Sequence, residues 1–229
     1  MHLSHNRLEF TKASLAALEA NTDWGMVDQF LVYDDNSADG TREYLEEWIR
    51  KAPARIPCRI VARFDTFGHP VNVMRDYLKN HRKHSIFGKV DSDTMVPPGW
   101  LGQCFDVMER NPDLDLLGIE VMNPVDATVQ ERGYTQARFI GGIGLMRTSA
   151  FQTLPEPNGA YFGFTEWQER HRRIKKGWLN PSLPVFLLDR FPFEPWRSRS
   201  MGYIINFGQR DHGPYMPHSK ELWDWWWKP

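Results

Sequence analysis

Short apolar runs alternate with stretches of helical periodicity along the first half of the chain. The run Phe30-Leu31-Val32-Tyr33 ends at a polar loop that begins with Asp34, which predicts a buried strand entering a loop. The same pattern predicts strands at residues 59–64, 86–90 and 114–121, with residues 1–4 as the end of an earlier strand. Helices are predicted at residues 41–50, 71–82 and 100–110, and from Thr11, as a possible N-cap, to residue 20. This alternation predicts an α/β fold with a mostly parallel central sheet and helices on both faces.

Two acidic loops follow predicted strands. Asp34 and Asp35 follow the strand at residues 30–33, and Asp91-Ser92-Asp93 follows the strand at residues 86–90. Ligands of such sheets bind outside the carboxyl ends of the strands, where these carboxylates are expected. Paired carboxylates suit Mg²⁺ or Mn²⁺ and can bridge these ions to phosphate oxygens. An ordinary solvated turn is the alternative interpretation of Asp91-Ser92-Asp93.

The second half of the chain is less regular. Gly141, Gly142 and Gly144 indicate a close approach of backbones. Residues 166–176 are predicted to form a basic helix that ends at Gly177. We expect one domain at residues 1–190, followed by a Trp-rich extension at residues 191–229 that packs on it.

Composition excludes several classes of protein. A formal net charge of −1 over 229 residues argues against a general electrostatic attraction to nucleic acid. Cys58 and Cys104 are far apart and belong to no recognisable motif, which argues against a disulfide scaffold. With no apolar run long enough to cross a bilayer and no signal-peptide core, a cytoplasmic protein is expected.

Four segments, found in the same order along the chain, resemble motifs of family 2 and related inverting glycosyltransferases, and a fifth extends the resemblance. Phe87 to Leu101 resembles the family's Asp-x-Asp region, in which a strand leads to the two acids, then to Pro, Gly and an aromatic-Leu pair. Val32 to Thr41 resembles the nucleotide-binding loop, and His5-Asn6-Arg7 resembles the Tyr-Asn-Arg after the first strand. Met74-Arg75-Asp76 is similar to the family's Ala-Arg-Asn, and Gly141 to Arg147 resembles its glycine-rich segment. The resemblance implies a GT-A (nucleotide-diphospho-sugar transferase) fold.

The resemblance also implies how a nucleotide-sugar donor, UDP-linked by first expectation, is held. Asp35 corresponds to the position that accepts a hydrogen bond from the nucleotide base, with capping of its loop as the alternative role. Arg75 corresponds to a basic residue near the donor, and Lys89 is a further charge close to the site; either could instead be a surface residue. Gly141 and Gly142 line the donor-sugar and acceptor side.

A divalent cation, Mn²⁺ or Mg²⁺, is implied at the Asp-x-Asp motif. Asp93 would bind it directly, and Asp91 would contact the cation or the ribose. The family's third ligand corresponds to Asp189 or a residue beside it, and His212 is the alternative.

The resemblance implies a catalytic base at Glu166, which would take the proton of the acceptor hydroxyl. Thr165 replaces the first acid of the family's motif and Gln168 replaces a third, so Glu169 remains an alternative base. Glu166 could instead only complement the amino end of its helix.

Two surfaces bear on the acceptor, which the sequence does not name. The Trp-rich segment at residues 222–227 is expected to pack within the protein or a homodimer, with a peripheral membrane contact as the alternative. The basic residues at 170–176 are either a solvated helix face or a patch for a polyanion.

Several functions are compatible with these patterns. The first hypothesis is transfer of a sugar to an acceptor hydroxyl, such as that of a glycan, with inversion. A nucleic-acid acceptor, as in a glycosyltransferase that modifies hydroxymethyl-pyrimidine bases of DNA, is possible but not favoured. A nucleotidyltransferase and a non-catalytic sugar-binding module on the same fold are the remaining hypotheses.

Overall fold

The computed structural model describes residues 1–68, 70–81, 83–119, 132–137, 140, 143–151, 168, 173–179 and 186–187. Strands and helices alternate in the first half, as the sequence predicts. The strands there are β1 (His2–Ser4), β2 (Gln29–Asp35), β3 (Arg59–Asp65), β4 (Ile86–Asp91) and β5 (Thr94–Met95). The helices are α1 (Leu8–Asn21), α2 (Thr41–Lys51), α3 (Pro70–His81) and α4 (Trp100–Arg110). The later strands are β6 (Leu116–Gly118), β7 (Tyr134–Gln136), β8 (Gly144–Arg147), β9 (Lys176–Leu179) and β10 (Phe186–Leu187).

The main sheet has the strand order β3-β2-β1-β4-β8-β6-β9-β7 within the described residues. The strands from β3 to β4 are all parallel, because a helix-containing crossover separates each from the next. β8 runs antiparallel to both β4 and β6, while β6 and β9 are parallel and β7 is antiparallel to β9. The mostly parallel sheet expected from the sequence is therefore confirmed in its first half and mixed in its second.

Helices cover both faces of the sheet, and the alternation of side chains along β2 shows why. Phe30 and Val32 face a core that also contains Leu15 of α1 and Leu45 of α2. Leu31 and Tyr33 point the other way, into a second core formed with α3. A strand that is apolar at successive positions has to be buried on both faces, and this requirement accounts for the three-layer arrangement.

The amino ends of α1 and α2 share one carboxylate. Asp39 accepts hydrogen bonds from the amide of Leu8 at 2.9 Å and from the amide and hydroxyl of Thr41 at 3.1 and 2.6 Å. Burial favours a higher pKa for Asp39, but the hydrogen bonds from Thr41 and Leu8 outweigh it and lower its pKa. The prediction that α1 starts at Thr11 was wrong, because the helix begins at Leu8 with Arg7 in a left-handed conformation as its N-cap. Thr11 is instead a buried residue of the first turn.

The predicted helix end at Gly177 was also wrong. Gly177 is the second residue of β9, opposite Gln136 of β7, and a Cβ atom there would lie 2.2 Å from the ring of Tyr134. The close backbone approach predicted around Gly144 is confirmed, since a Cβ at Gly144 would lie 2.0 Å from the carbonyl oxygen of Leu117. Glycine is required at both positions because neighbouring strands leave no room for a side chain.

No helix in the described part of the chain is long and apolar enough to cross a membrane.

Candidate functional site

The strand order reverses between β1 and β4, and both acidic loops lie at this end of the sheet. From β1 the chain proceeds to β2 and β3 on one side, whereas β4 pairs with the other side of β1. The register aligns the carboxyl ends, since Asp91 lies opposite Leu3 and Asp34 lies opposite Ser4. A crevice at such a reversal is the usual ligand site of an open α/β sheet.

The main chain of the loop Asp91-Ser92-Asp93 is fixed by neighbouring elements. The amide of Ser92 donates to the carbonyl oxygen of Leu3 at 3.1 Å, and the hydroxyl of Ser14 donates to the carbonyl oxygen of Asp91 at 3.2 Å. The side chains of Asp91 and Asp93 remain 35% and 21% exposed. Hydrogen bonds to Leu3 and Ser14 therefore fix the main chain of the loop, while its carboxylates stay accessible to a ligand.

Each of these carboxylates contacts a basic side chain that is itself almost fully buried. The ammonium group of Lys89 contacts the carboxylate of Asp91, and the guanidinium of Arg7 lies 2.5 Å from Oδ2 of Asp93. Desolvation by the surrounding protein raises the pKa of Asp91, and Lys89 opposes that shift. The ion pair of Arg7 with Asp93 spans the reversal of strand order, because Arg7 follows β1 and Asp93 follows β4.

The loops after β1 and β2 are bonded to each other. The amide of Asn6 donates to the hydroxyl oxygen of Ser37 at 2.7 Å, and the amide of Ala38 donates to Oδ1 of Asn6 at 2.9 Å. The imidazole of His5 donates from Nδ1 to the carbonyl oxygen of Asp35 at 2.5 Å. These contacts give the crevice one continuous wall.

The two acids that end β2 have different environments. Asp34 is fully buried and accepts hydrogen bonds from both the amide and the hydroxyl of Ser37, so it stabilises its own turn. Asp35 is half-buried, and its Oδ1 accepts the amides of Phe67 and Gly68 at 2.6 and 2.9 Å. The structure records no hydrogen bond to the other oxygen, Oδ2, from the described residues, so this atom can accept one from a ligand.

Arg75 lies on α3 beside the same loop. Its guanidinium donates to Oδ1 of Asn72 at 3.1 Å, and the amide of the Asn72 side chain donates to the carbonyl oxygen of Phe67 at 2.7 Å. Arg75 is thus linked to Asp35 only indirectly, through Asn72 and the main chain of Phe67. Among the predicted site residues, the structure brings Lys89 and Asp91 into direct contact, and Asp93 follows in the same loop.

Gln168 connects two segments to which the sequence assigns functions. Its side-chain oxygen accepts the amide of Ile140 at 3.0 Å, and its side-chain nitrogen donates to the carbonyl oxygen of Ile140 at 3.2 Å. Gln168 is fully buried, and Ile140 directly precedes the predicted donor-binding glycines, Gly141 and Gly142.

Several predicted residues lie outside the described residues. They are the glycines Gly141 and Gly142, the candidate bases Glu166 and Glu169, the candidate metal ligands Asp189 and His212, and the Trp-rich segment at residues 222–227. The roles given to them, and the dimer contact suggested for the last segment, stay predictions.

The carboxyl end of the basic segment does not form an exposed patch. Lys176 is buried in β9, where its ammonium donates to the carbonyl oxygen of Gln168 at 3.2 Å. Lys175 forms an ion pair with Asp113 at 2.9 Å. These two residues are therefore engaged within the protein, which weakens the case for a polyanion site.

Arg7 was not among the site residues proposed from the sequence. The available signal was its place in His5-Asn6-Arg7, directly after the first strand, but sequence alone gives no partner 86 residues away. Among the described residues, no group of three or more His, Cys, Asp or Glu side chains forms a metal site. Two carboxylates suffice for a hard cation that is also bound by substrate phosphates, so Asp91 and Asp93 fit such a cation.

Comparison with known proteins gives a family and a fold. The sequence profile described as "Glycosyl transferase family 2" matches residues 3–164. No curated protein sequence matches the chain.

The structural similarity is to glycosyltransferases of low sequence identity. The mannosyltransferase PcManGT from Pyrobaculum calidifontis, in complex with GDP-Man and Mn²⁺, is 13% identical, with a TM-score of 0.59 over 94% of this chain and 64% of that one. S. aureus TarS residues 1–349, in complex with UDP-GlcNAc, is 15% identical, with a TM-score of 0.57 over 78% of this chain and 54% of that one. GalNAc-T7 with UDP, GalNAc and Mn²⁺ is 9% identical, with a TM-score of 0.55 over 78% and 41%. The chain thus spans less than two thirds of the length of each of these proteins.

Proposed function

The chain belongs to glycosyl transferase family 2, and from that premise we propose that it transfers a sugar from a nucleoside-diphosphate donor to an acceptor hydroxyl. We further propose that the transfer inverts the anomeric centre and depends on Mn²⁺ or Mg²⁺ at Asp91 and Asp93. The main support is the position of these two partly exposed carboxylates at the reversal of strand order.

The donor set supports a hard divalent cation. Carboxylate oxygens are the ligands that Mg²⁺ and Mn²⁺ prefer, and substrate phosphates commonly complete their coordination. When bound, such a cation neutralises charge on the departing diphosphate. The residues of this chain that would hold it are Asp91 and Asp93.

Asp189 is proposed as a third ligand, with His212 as the alternative. The support is the short stretch of chain between Asp189 and a strand beside Asp93. β10 pairs with β5, which directly follows Asp93, and Leu187 lies opposite Thr94. Asp189 follows Leu187 by two residues, which limits their separation to about 7 Å.

The nucleotide is proposed to lie against the wall formed by the loops after β1 and β2. Asp35 has one carboxylate oxygen bonded to the amides of Phe67 and Gly68, which fixes the orientation of the other oxygen. That second oxygen is suited to accept a hydrogen bond from the base. Arg75 and Lys89 supply positive charge on either side of the phosphates.

Glu166 is proposed as the base, with Glu169 as the alternative. Its carboxylate takes the proton of the acceptor hydroxyl while the oxygen forms a bond to the anomeric carbon and the bond from that carbon to the diphosphate oxygen breaks. Support comes from Gln168, two residues further on, whose amide is bonded to Ile140 beside Gly141 and Gly142. This contact is consistent with a base close to the donor sugar.

A binding experiment tests the donor and metal requirements together. We expect UDP with Mn²⁺ to raise the melting temperature more than the sum of the two separate effects. At a hundred times the dissociation constant, a ligand adds about 2.7 kcal/mol, or roughly 5–10 °C for a chain of this size. GDP is the comparison nucleotide, because the similar structures contain either UDP or GDP sugars.

Asp93→Asn is the informative variant and Asp106→Asn, on the exposed face of α4, is its matched control. The first change should remove the Mn²⁺-dependent part of the shift, and the second should leave it intact. A full Mn²⁺-dependent shift in Asp93→Asn would reject the proposed metal site.

Product analysis separates the competing functions. Release of UDP from a UDP-sugar, with transfer to a hydroxyl and a product of inverted anomeric configuration, is the expected result. Release of pyrophosphate from a nucleoside triphosphate and a sugar phosphate would instead identify a nucleotidyltransferase. Donor binding with neither transfer nor hydrolysis would identify a sugar-binding module.

A further inference from the structure

The acidic loop has as many basic partners as it has carboxylates. Lys89 contacts Asp91 and Arg7 contacts Asp93, and the side chains of Lys89 and Arg7 are only 6% and 7% exposed. The two negative and two positive charges of these four side chains give the cluster a net charge near zero. A divalent cation that approaches such a cluster gains little electrostatic energy unless one of the basic groups moves away.

Arg7 is held in place by an unusual backbone. It has a φ of 67° and follows Asn6, which has a φ of 53°, so two successive residues adopt the left-handed conformation. That conformation is uncommon for residues other than glycine and has to be stabilised by its surroundings. The amide of Asn6 is bonded to Ser37 and the amide of Leu8 to Asp39, on either side of Arg7.

The side chain of Arg7 is also directed by packing. Its guanidinium carbon lies 5.3 Å from the ring centroid of Phe10, one turn further along α1, and its Nη1 lies 2.5 Å from Asp93. The backbone, the aromatic ring and the carboxylate together direct one cationic group towards the carboxylate that is proposed to bind the metal.

We propose that Arg7 is a built-in counter-cation of Asp93 that competes with the divalent metal for this carboxylate, and that a donor diphosphate relieves the competition. The guanidinium exchanges Asp93 for phosphate oxygens, with which its planar fork pairs well. Metal and diphosphate binding are then mutually dependent, because each favours the arrangement in which Arg7 has left Asp93. This inference rests on the proposed function, since it requires both ligands at this crevice.

Isothermal titration of Mn²⁺, with and without saturating UDP, measures the coupling directly and needs no turnover. The variant is Arg7→Asn, because asparagine tolerates the left-handed backbone at this position. Arg7→Lys keeps the positive charge, and Lys12→Met removes a charge from the partly exposed Lys12–Glu9 pair of the same helix.

For the wild-type protein we expect weak Mn²⁺ binding that UDP strengthens by about a hundredfold, within the usual range of such couplings. Arg7→Asn should bind Mn²⁺ alone about tenfold more tightly and show about tenfold weaker coupling to UDP. Lys12→Met should stay within about threefold of the wild type with and without UDP. Arg7→Lys, which keeps the charge but not the planar fork, should stay within about threefold of it in Mn²⁺ binding without UDP. Melting curves without ligands show whether each variant is folded, and Arg7→Gln replaces Arg7→Asn if the latter is not.

The possible failures are distinguishable. Unchanged or weaker Mn²⁺ binding by the folded Arg7→Asn variant, or by Arg7→Gln in its place, with UDP coupling intact in the wild type, overturns the counter-cation role and leaves the proposed function standing. An absence of Mn²⁺ binding in every variant, with or without UDP, overturns both.

Discussion

The hydroxyl of Ser14 on α1 donates a hydrogen bond to the main-chain oxygen of Asp91 at 3.2 Å. The oxygen of the same hydroxyl accepts from Nε2 of His2 at 3.2 Å, because its single hydrogen is committed to Asp91. Nδ1 of His2 in turn accepts from Ser4 at 3.4 Å, and Ser4 accepts from Thr11 at 3.5 Å. A buried chain of hydrogen bonds, made by three hydroxyl groups and one neutral imidazole, therefore connects β1 and α1 to the main chain of the acidic loop.

Ser14→Ala should destabilise the protein by about 1–2 kcal/mol, because it leaves the Nε2–H of buried His2 and the carbonyl oxygen of Asp91 without this partner. Urea unfolding of the variant measures the change. Ser85→Ala, at an exposed serine, is the control and should change the free energy of unfolding by less than about 0.5 kcal/mol. If Ser14→Ala lowered the free energy of unfolding no more than Ser85→Ala does, the hydrogen bonds of Ser14 would contribute nothing to stability.

His2 predicts a pH dependence of stability. Burial lowers the pKa of His2 to about 3, so the folded protein keeps the imidazole neutral while the unfolded chain takes up a proton near pH 6.5. Stability is therefore lost as the pH falls below 6.5, by about 2 kcal/mol between pH 7 and pH 5 from this residue.

His2→Gln should remove that part of the pH dependence. The free energy of unfolding is measured for the wild type and the variant at pH 7 and at pH 5. At each pH the difference between the two proteins cancels the contribution of the other titrating groups. A difference that does not change with pH would mean that His2 keeps an ordinary pKa.

Asp35 is predicted to have a structural and a binding role that two substitutions separate. Asp35→Ala removes the acceptor of the amides of Phe67 and Gly68 and should cost about 1–2 kcal/mol of stability, with loss of nucleotide binding. Asp35→Asn keeps a carbonyl oxygen for these amides, so its stability should fall less while nucleotide binding still weakens. Urea unfolding measures stability, and titration with UDP measures nucleotide binding. Equal stabilities of Asp35→Ala and Asp35→Asn would argue against a stabilising contact of Asp35 with the amides of Phe67 and Gly68.

Gly177 and Gly102 form a matched pair of positions for alanine. At Gly177 a Cβ would lie 2.2 Å from the ring of Tyr134 and 3.0 Å from the carbonyl oxygen of Thr135, so Gly177→Ala should cost about 1–3 kcal/mol. At Gly102, in α4, no atom lies within 4 Å of the added Cβ, and Gly102→Ala should stabilise by up to about 1 kcal/mol. Thermal unfolding distinguishes the two, and a stable Gly177→Ala would mean that β7 and β9 are less tightly packed than described.

The sequence by itself determined the features that depend on neighbouring residues. Alternating apolar and polar positions predicted the strands and helices around the parallel half of the sheet, and the strand ends placed Asp35 and Asp91 at the carboxyl edge of the parallel strands. These features could be predicted because the periodicity of buried positions and the residues of a turn are local properties. The bounds of α4 were predicted to the residue for the same reason.

Only the tertiary structure decided which distant groups meet. It assigned Arg7 to Asp93 across 86 residues and the carboxylate of Asp35 to the amides of Phe67 and Gly68, and it placed Gly177 inside a strand rather than after a helix. No local pattern specifies such partners, because strand order and packing bring together groups that are far apart in the chain. The same long-range contacts determine which charges lie beside the acidic loop.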